Sequence, residues 1–500
     1  MDSIQGLILG FSNVLQPINI FYCFLGTFIG TFVGVLPGLG PPGAMALLLP
    51  ITYHLNPISS MIMLAGILYG AMYGSSTTAI LLNIPGEAAS VTTCLDGYQM
   101  ARKGRAGVAL GVSAVASFIA GTFAVMALAF LAPPLAKSAL KFGPPEYFCL
   151  MLMALSIVTY MARVSVIKGL MMAAFGLILS TIGMDPVNAT PRFAYGISSL
   201  YEGLGLAAVL MGLFGISEVL ENIGQYVKAE IYRVKVKNLL GTREEWKRSA
   251  FPIARGTLIG FFMGIFPGVG SIIPTIVSYA VEKKVSKHPE RFGTGMVEGV
   301  AGPEAANNAA AGGTFIPLMS LGIPGTASSA MLLAALMILG LRPGPLLIKE
   351  SPDVFWGVVS SMYLGNVMLL ILNLPLIPIW VKVLKIPYDY LFTMILLLCL
   401  IGAYSVSNSI TDVIVMVTFG ILGYLIRGFK YELAPFILAY VLGPIMEPAF
   451  RRSLILSKGS FDIFVNRPIS AAFLCIAVVT LVIPLLTRKR PGMGLPAEEL

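Results

Sequence analysis

The sequence predicts an all-α polytopic membrane protein of about twelve transmembrane helices, in two repeat-related halves whose apolar segments carry broken or re-entrant Pro-Gly stretches. Three observations predict it. Of the 500 residues, 57% are hydrophobic and only 11% charged, against about 25% charged in an ordinary soluble domain. Apolar runs of about 20 residues recur along the whole chain, each enough to cross a hydrocarbon core of roughly 30 Å. Finally, GTFIGTFVGVLPGLG, Gly26 to Gly40, aligns without gaps on GTLIGFFMGIFPGVG, Gly256 to Gly270, with nine identities in fifteen positions. A closed barrel is excluded, because its strands alternate over only about ten residues.

The apolar segments fall at roughly 18–36, 41–52, 58–82, 106–132, 146–162, 165–183, 203–220, 253–280, 305–322, 326–341, 354–384, 389–404, 410–427, 433–446 and 468–487. Several are too short to span alone, which brings the expected crossings to about twelve. The first half covers 1–225, with Pro-Gly breaks at 37–38 and 85–86. A Lys- and Arg-rich connection, 226–250, is expected to be cytoplasmic. The second half covers 251–487, with breaks at 267–268 and 324–325, and a cytoplasmic tail, 488–500, follows. The start, MDSIQGLILG, has no basic n-region and no small-residue cleavage site, so the first span is expected to serve as its own targeting signal.

The net charge of +9, from 33 Lys and Arg against 24 Asp and Glu, sits in short loops between spans. That is the positive-inside bias of a membrane protein, and no soluble domain is present to hold a nucleic-acid site. The five cysteines are scattered without CxxC spacing, which suggests neither a disulfide framework nor a metal cluster. With only His54 and His288, and no GxxxxGK[ST] loop, histidine-dependent catalysis and ATP binding have nothing to build on.

A second pair of motifs extends the duplication: NIPGEAAS, Asn83 to Ser90, and GIPGTASS, Gly322 to Ser329. The two Pro-Gly breaks are 48 residues apart in the first half and 57 in the second, a difference assigned to the charged insert EKKVSKHPERFG, Glu282 to Gly293. Paired breaks at matching places are the best sequence pointer to a transporter binding site. Backbone released from a helix cannot face lipid, and survives only when buried or lining a wet cavity. Basic residues flank both ends of 253–280 (Lys247, Arg248, Arg255; Lys283, Lys284, Lys287), so this segment reads equally as a re-entrant hairpin or a broken spanning helix.

Candidate substrate-binding positions cluster at the breaks. In the first half they are Pro37, Gly38, Gly40, Ser75, Ser76, Thr77, Thr78, Asn83, Pro85 and Gly86. In the second they are Pro267, Gly268, Gly270, Asn307, Asn308, Thr314, Pro324, Gly325, Thr326 and Ser328. New helix turns begun at Pro and Gly present free N–H groups that favour anions, and the hydroxyls and amides add donors. Together they describe a site for a carboxylate-bearing solute, or a carbonyl-lined site for a small cation. Small polar residues also line ordinary helix contacts in membranes, so each Ser or Thr alone reads first as packing, and the clusters at the breaks together read as the site.

Glu304 and Glu87 are the ion-coupling candidates, because carboxylates buried in a membrane are costly and usually functional. The alternative for Glu304 is a first-turn helix acid following Pro303. Asp96, beside the basic stretch GYQMARKGRAG, reads as a solvated loop acid.

The runs GVLPGLGPPGAMALLLPITY, GAMYGSSTTAILLNIPGEAASVTTCLDGYQMARKGRAG and VEGVAGPEAANNAAAGGTFIPLMSLGIPGTASSAMLLAALMILGLRPGP closely resemble the large membrane subunit of the tripartite tricarboxylate transporters, and the resemblance extends over nearly the whole chain. It implies a multi-pass secondary transporter of the bacterial inner membrane, fed with a carboxylate such as citrate by a periplasmic solute-binding protein and accompanied by a small four-helix membrane subunit. It also implies uptake driven by an ion gradient, with H+ or Na+ as coupling ion, and no enzymatic activity or other cofactor. A sodium site is compatible with this, but the sequence names no ligands for one. The competing expectation is an anion channel, or a subunit that docks partners without coupled transport of its own.

Overall fold

A computed structural model describes residues 2–36, 40–160, 165–223, 238–383 and 388–486. Pro37 and Gly38, residues 226–237 of the connection and the 488–500 tail lie outside these residues. The chain is almost entirely helical, with a single pair of two-residue strands, Gly183–Met184 and Pro191–Arg192, among the described residues. Among the described residues six helices are long and apolar enough to cross a membrane: Pro17–Val35, Pro57–Leu82, Ala106–Ala139, Pro352–Asn373, Ile410–Gly428 and Leu433–Leu456. Four shorter apolar helices accompany them, and the chain is a polytopic α-helical membrane protein. Proline marks where helices begin. Pro17, Pro41, Pro57 and Pro352 each open one, where the missing N–H has no intrahelical partner to lose.

The chain forms two compact units. One combines Met1–Lys141 with Leu204–Gly428, and the other Phe142–Gly203 with Phe429–Leu500. In the larger unit the 57–82 helix is buried from Ser59 to Leu81, and helix Glu298–Gly313 is buried from Gly299 onward. The 17–35 helix packs on the first of these, and helix Arg243–Gly264 on the second. Both contacts are made by glycine stripes. A β-carbon at Gly26, Gly30 or Gly34 would lie 2.3, 2.5 and 2.3 Å from the carbonyl oxygens of Met63, Ile67 and Ala71. At Gly256, Gly260 and Gly264 it would lie 2.2, 2.2 and 2.4 Å from those of Gly302, Ala306 and Ala310. Only glycine lets backbones approach this closely, and a spacing of four keeps the glycines on one helix face.

The 253–280 segment divides at residues 265–271 into two packed helices, Arg243–Gly264 and Ile272–Val285. A capping box opens the first: the Thr242 hydroxyl accepts from the Glu245 N–H, and the Glu245 carboxylate accepts from the Thr242 N–H at 2.7 Å. Arg255 Nε donates to Glu282 Oε1 at 2.8 Å across the two arms, which fixes them side by side at their charged ends. Beyond that pair each arm runs only about 14 Å to the turn, at 1.5 Å per residue. The connection ahead of the buried helix is three residues in the first half, 54–56, and twelve in the second, 286–297. The excess of nine (12 − 3) equals the difference in motif spacing.

The smaller unit packs helices Pro144–Tyr160, Val166–Ser180, Leu433–Leu456 and Pro468–Leu486. Its loop acid Asp185 accepts from Arg451 Nη1 at 2.8 Å and pairs with Arg192 at 2.7 Å. Arg451, helped by the N–H groups of Val187 and Asn188, holds this carboxyl well below the usual carboxylate range.

Candidate functional site

Glu304 is the centre of the polar interior. It is 1% exposed and sits in the second turn of the 298–313 helix, with Pro303 inside that helix rather than ahead of it. This overturns its reading as a first-turn acid. The first-turn acid is Glu298, whose carboxylate accepts from Arg248 Nε and Nη2 at 2.7 and 2.8 Å.

Three hydroxyls from the first half converge on Glu304. Ser76 Oγ donates to Oε2 at 2.6 Å, Thr93 Oγ1 donates to Oε1, and Ser117 Oγ stands 3.5 Å from Oε2. Asn308 Nδ2, one turn along the same helix, donates to Ser117 Oγ at 2.6 Å and to the Glu304 carbonyl at 3.1 Å. No Lys, Arg or His pairs with Glu304 among the described residues. A bare buried carboxylate costs several kcal/mol, and hydrogen bonds to a charged group return about 1.5–3 kcal/mol each. The hydroxyl donors therefore offset part of the cost of burying this carboxylate.

Asn307, on the same helix, is 1% exposed, and neither its amide nitrogen nor its oxygen has a hydrogen-bond partner among the described residues. Orphaned amides of this kind are rare in folded proteins and cost roughly 2–7 kcal/mol to bury.

In the second half the two Pro-Gly breaks meet. The Gly268 N–H donates to the Gly325 carbonyl at 2.8 Å. A β-carbon at Gly325 would lie 3.4 Å from Pro267 Cα and 4.0 Å from Thr314, and one at Gly270 3.9 Å from Thr326. In the first half a β-carbon at Gly86 would lie 2.1 Å from the Gly34 carbonyl, and would also crowd Ser75 and Thr78. The aligned positions Asn83 and Gly322 both end helices in the left-handed conformation, φ 58° and 73°, which Asn and Gly tolerate best. Thr326 then caps helix Ala327–Ile338 through a reciprocal bond with Ser329, and Ser328 is buried in its first turn.

Other candidates stand apart from the Glu304 cage. Gly40 caps helix Pro41–Tyr53 with only Pro42 beside its β-position. Asn83 is exposed. Thr77 is buried, while Ser75 and Thr78 bond to the backbone of their own helix. Pro85 leads into a short turn, Ala88–Ser90, capped by Glu87, and one Glu87 carboxylate oxygen is buried without a partner. Pro324 is buried ahead of Gly325.

Asp96 is a correction. It is fully buried, not solvated. Its carboxylate accepts from the Tyr279 hydroxyl at 2.9 Å and from the N–H groups of Gly293, Gly295 and Met296 at 3.0, 2.7 and 2.8 Å. Lys103 and Arg105 donate to the carbonyls of Thr294 and Gly295 in the same loop. The sequence reasoning also missed Thr93 and Ser117. Ser113 and Ser117, four apart in an apolar helix, were the available signal.

Residues 20–438 match the Tripartite tricarboxylate transporter TctA family. The chain belongs to this family. The TctA-family chain is 48% identical over 490 residues, 98% of each chain, to an uncharacterized 52.8 kDa protein in the TAR-I ttuC′ 3′ region of Agrobacterium vitis. An uncharacterized protein in the TAR-II ttuC′ 3′ region of the same organism is 46% identical over 231 residues, 46% of this chain and 96% of that protein. No solved structure matches. Membership makes the chain a transport protein, the multi-pass large subunit of a tripartite system whose other parts are a binding protein and a small membrane subunit.

Proposed function

We propose that this TctA-family subunit imports carboxylates across the bacterial inner membrane by ion-gradient-driven alternating access. A periplasmic binding protein delivers the substrate, a tricarboxylate such as citrate or a related di- or monocarboxylate. The observation that carries this reading is Asn307, a wholly buried amide with no protein partner, one turn from the caged Glu304. Asn307 and the Pro-Gly breaks offer N–H donors to substrate carboxylates, and the helix start at Ala327 adds a favourable dipole. Glu304 holds the coupling ion, H+ or Na+. Movement of the two repeats against the remaining helices then exposes the site to one side or the other.

The test is uptake by membrane vesicles carrying the complete three-part system, with and without an imposed ion gradient, against a panel of di- and tricarboxylates. Replacing Pro267 and Gly268 together by alanine removes the turn that bonds to Gly325. Uptake is expected to vanish while the subunit remains in the membrane. Undiminished uptake in that variant, or wild-type uptake that ignores the gradient, refutes the proposal.

A further inference from the structure

A small cavity of about 20 Å³, room for about one water molecule, lies beside the Glu304 cage, between the 57–82, 106–139, 298–313 and 352–373 helices. Tyr69, Asn308 and Asn366 are its polar walls, and Val125, Ala311 and Phe315 are among its apolar ones. Asn366 is held rigidly: its Oδ1 accepts from Tyr73 at 2.6 Å, and its Nδ2 donates to the Phe118 carbonyl and to Thr122, both at 2.9 Å. Asn308 is the shared wall, because the amide that lines the cavity also bonds to Ser117, which in turn faces the Glu304 carboxylate.

Two features separate this cavity from a substrate site. With room for about one water molecule it is too small for a di- or tricarboxylate, and no Lys or Arg lines it among the described residues. None of the Pro-Gly residues at 85–86, 267–268 or 324–325 lines it either. Behind its wall stands a carboxylate without a cationic partner, whose field reaches far through a low-dielectric interior and draws positive charge.

We infer that this cavity is the route by which the coupling cation, a proton or sodium, reaches Glu304, separately from the carboxylate bound at the breaks. The inference rests on Glu304 being the ion-binding group. Asn308 holds Ser117 as the last link: the Ser117 hydroxyl gives its proton to Glu304 while taking one from a water in the cavity, or Ser117 and Asn308 lend oxygens to sodium. The titratable side chains facing Glu304 are Tyr73 and Cys94. Asp96 lies farther along the same helix against Gly299, and Glu282, paired with Arg255, lies against Gly302.

The test compares wild type with Ala311→Leu and Val125→Phe, which fill the cavity from two walls, in vesicles carrying the complete system. Uptake is measured against pH at fixed sodium and against sodium at fixed pH, and the ion whose variation changes uptake is the one coupled. Both variants are expected to raise the half-saturating concentration of that ion by about ten-fold, while that of the carboxylate moves less than about two-fold. A second measurement does not depend on transport. In a Cys475→Ser background, Ala311→Cys should react with a small cationic methanethiosulfonate far faster than Ala309→Cys, a buried position outside the cavity. Unchanged ion dependence in both filled variants, or equal reactivity of the two cysteines, overturns the route. Wild-type ion dependence in Glu304→Gln overturns instead the role of Glu304 on which it rests.

Discussion

The two repeats share a scaffold and divide the chemistry between them. The residues facing the glycine stripes, Met63, Ile67 and Ala71 in one and Gly302, Ala306 and Ala310 in the other, stand 239 positions apart throughout (302 − 63, 306 − 67, 310 − 71). By that register Glu304, Asn307 and Asn308 correspond to Ala65, Leu68 and Tyr69, and Ser76 corresponds to Phe315. The carboxylate and amides belong to the second repeat, and the hydroxyls that satisfy the carboxylate belong to the first. Backbone packing constrains both copies alike, because a side chain at any stripe glycine meets a carbonyl. The polar positions are under no such constraint, and the two repeats supply different groups to one hydrogen-bonded cluster.

Four experiments break or sharpen this comparison. The largest effect is expected from Glu304→Gln, which should lower the initial uptake rate at least about 100-fold at equal membrane abundance. Adding Ala65→Glu should not restore it, and restoration would mean that the repeats are interchangeable. Asp96→Ala removes the acceptor for three N–H groups in the insert that only the second repeat carries. It should cost about 2–3 kcal/mol, read as a lower melting midpoint and faster proteolysis within 286–297.

Gly30→Ala and Gly260→Ala should each destabilise by about 1–2 kcal/mol through overpacking. Matching shifts in the melting midpoint support equivalent stripes, and tolerance of only one refutes the equivalence. The smallest effects belong to the left-handed helix ends. Exchanging residue types, Asn83→Gly or Gly322→Asn, should change stability by less than about 0.5 kcal/mol, whereas Gly322→Val should cost about 1–2 kcal/mol. Equal melting midpoints for Gly322→Asn and Gly322→Val would show that the φ of 73° is not required.

The scaffold was legible because its signal is local. Glycine every fourth residue, then Pro-Gly, then a Pro-Gly beside a small polar cluster can be read and counted within each half. The same counting assigned the nine extra residues to 282–293, whereas the structure keeps 282–285 in a helix and lengthens the connection at 286–297. The cage around Glu304 was only half legible. Pro303 normally opens a helix, and nothing nearby shows that this helix had already begun at Glu298, where Arg248 waits. Ser117 and Thr93 carried little signal, since hydroxyls in apolar helices commonly bond to their own preceding turn. Asp96 was misread because the charges nearest in sequence, Arg102, Lys103 and Arg105, suggested solvent. Its actual donors are the distant Tyr279 hydroxyl and three backbone N–H groups, and backbone donors, which any residue type supplies, leave no mark in the sequence.

The separation of Asp96 from those donors also sets an order of assembly. Its carboxylate bonds to N–H groups 197 to 200 residues further along, so during synthesis it is made long before anything can neutralise its burial. Until residues 293–296 leave the ribosome, the turn that carries Asp96 must stay in water or at the membrane surface. Closing the first repeat therefore waits for the second, and the nine added residues act as a timing element: the late-arriving clasp that lets an early-made acid go inside.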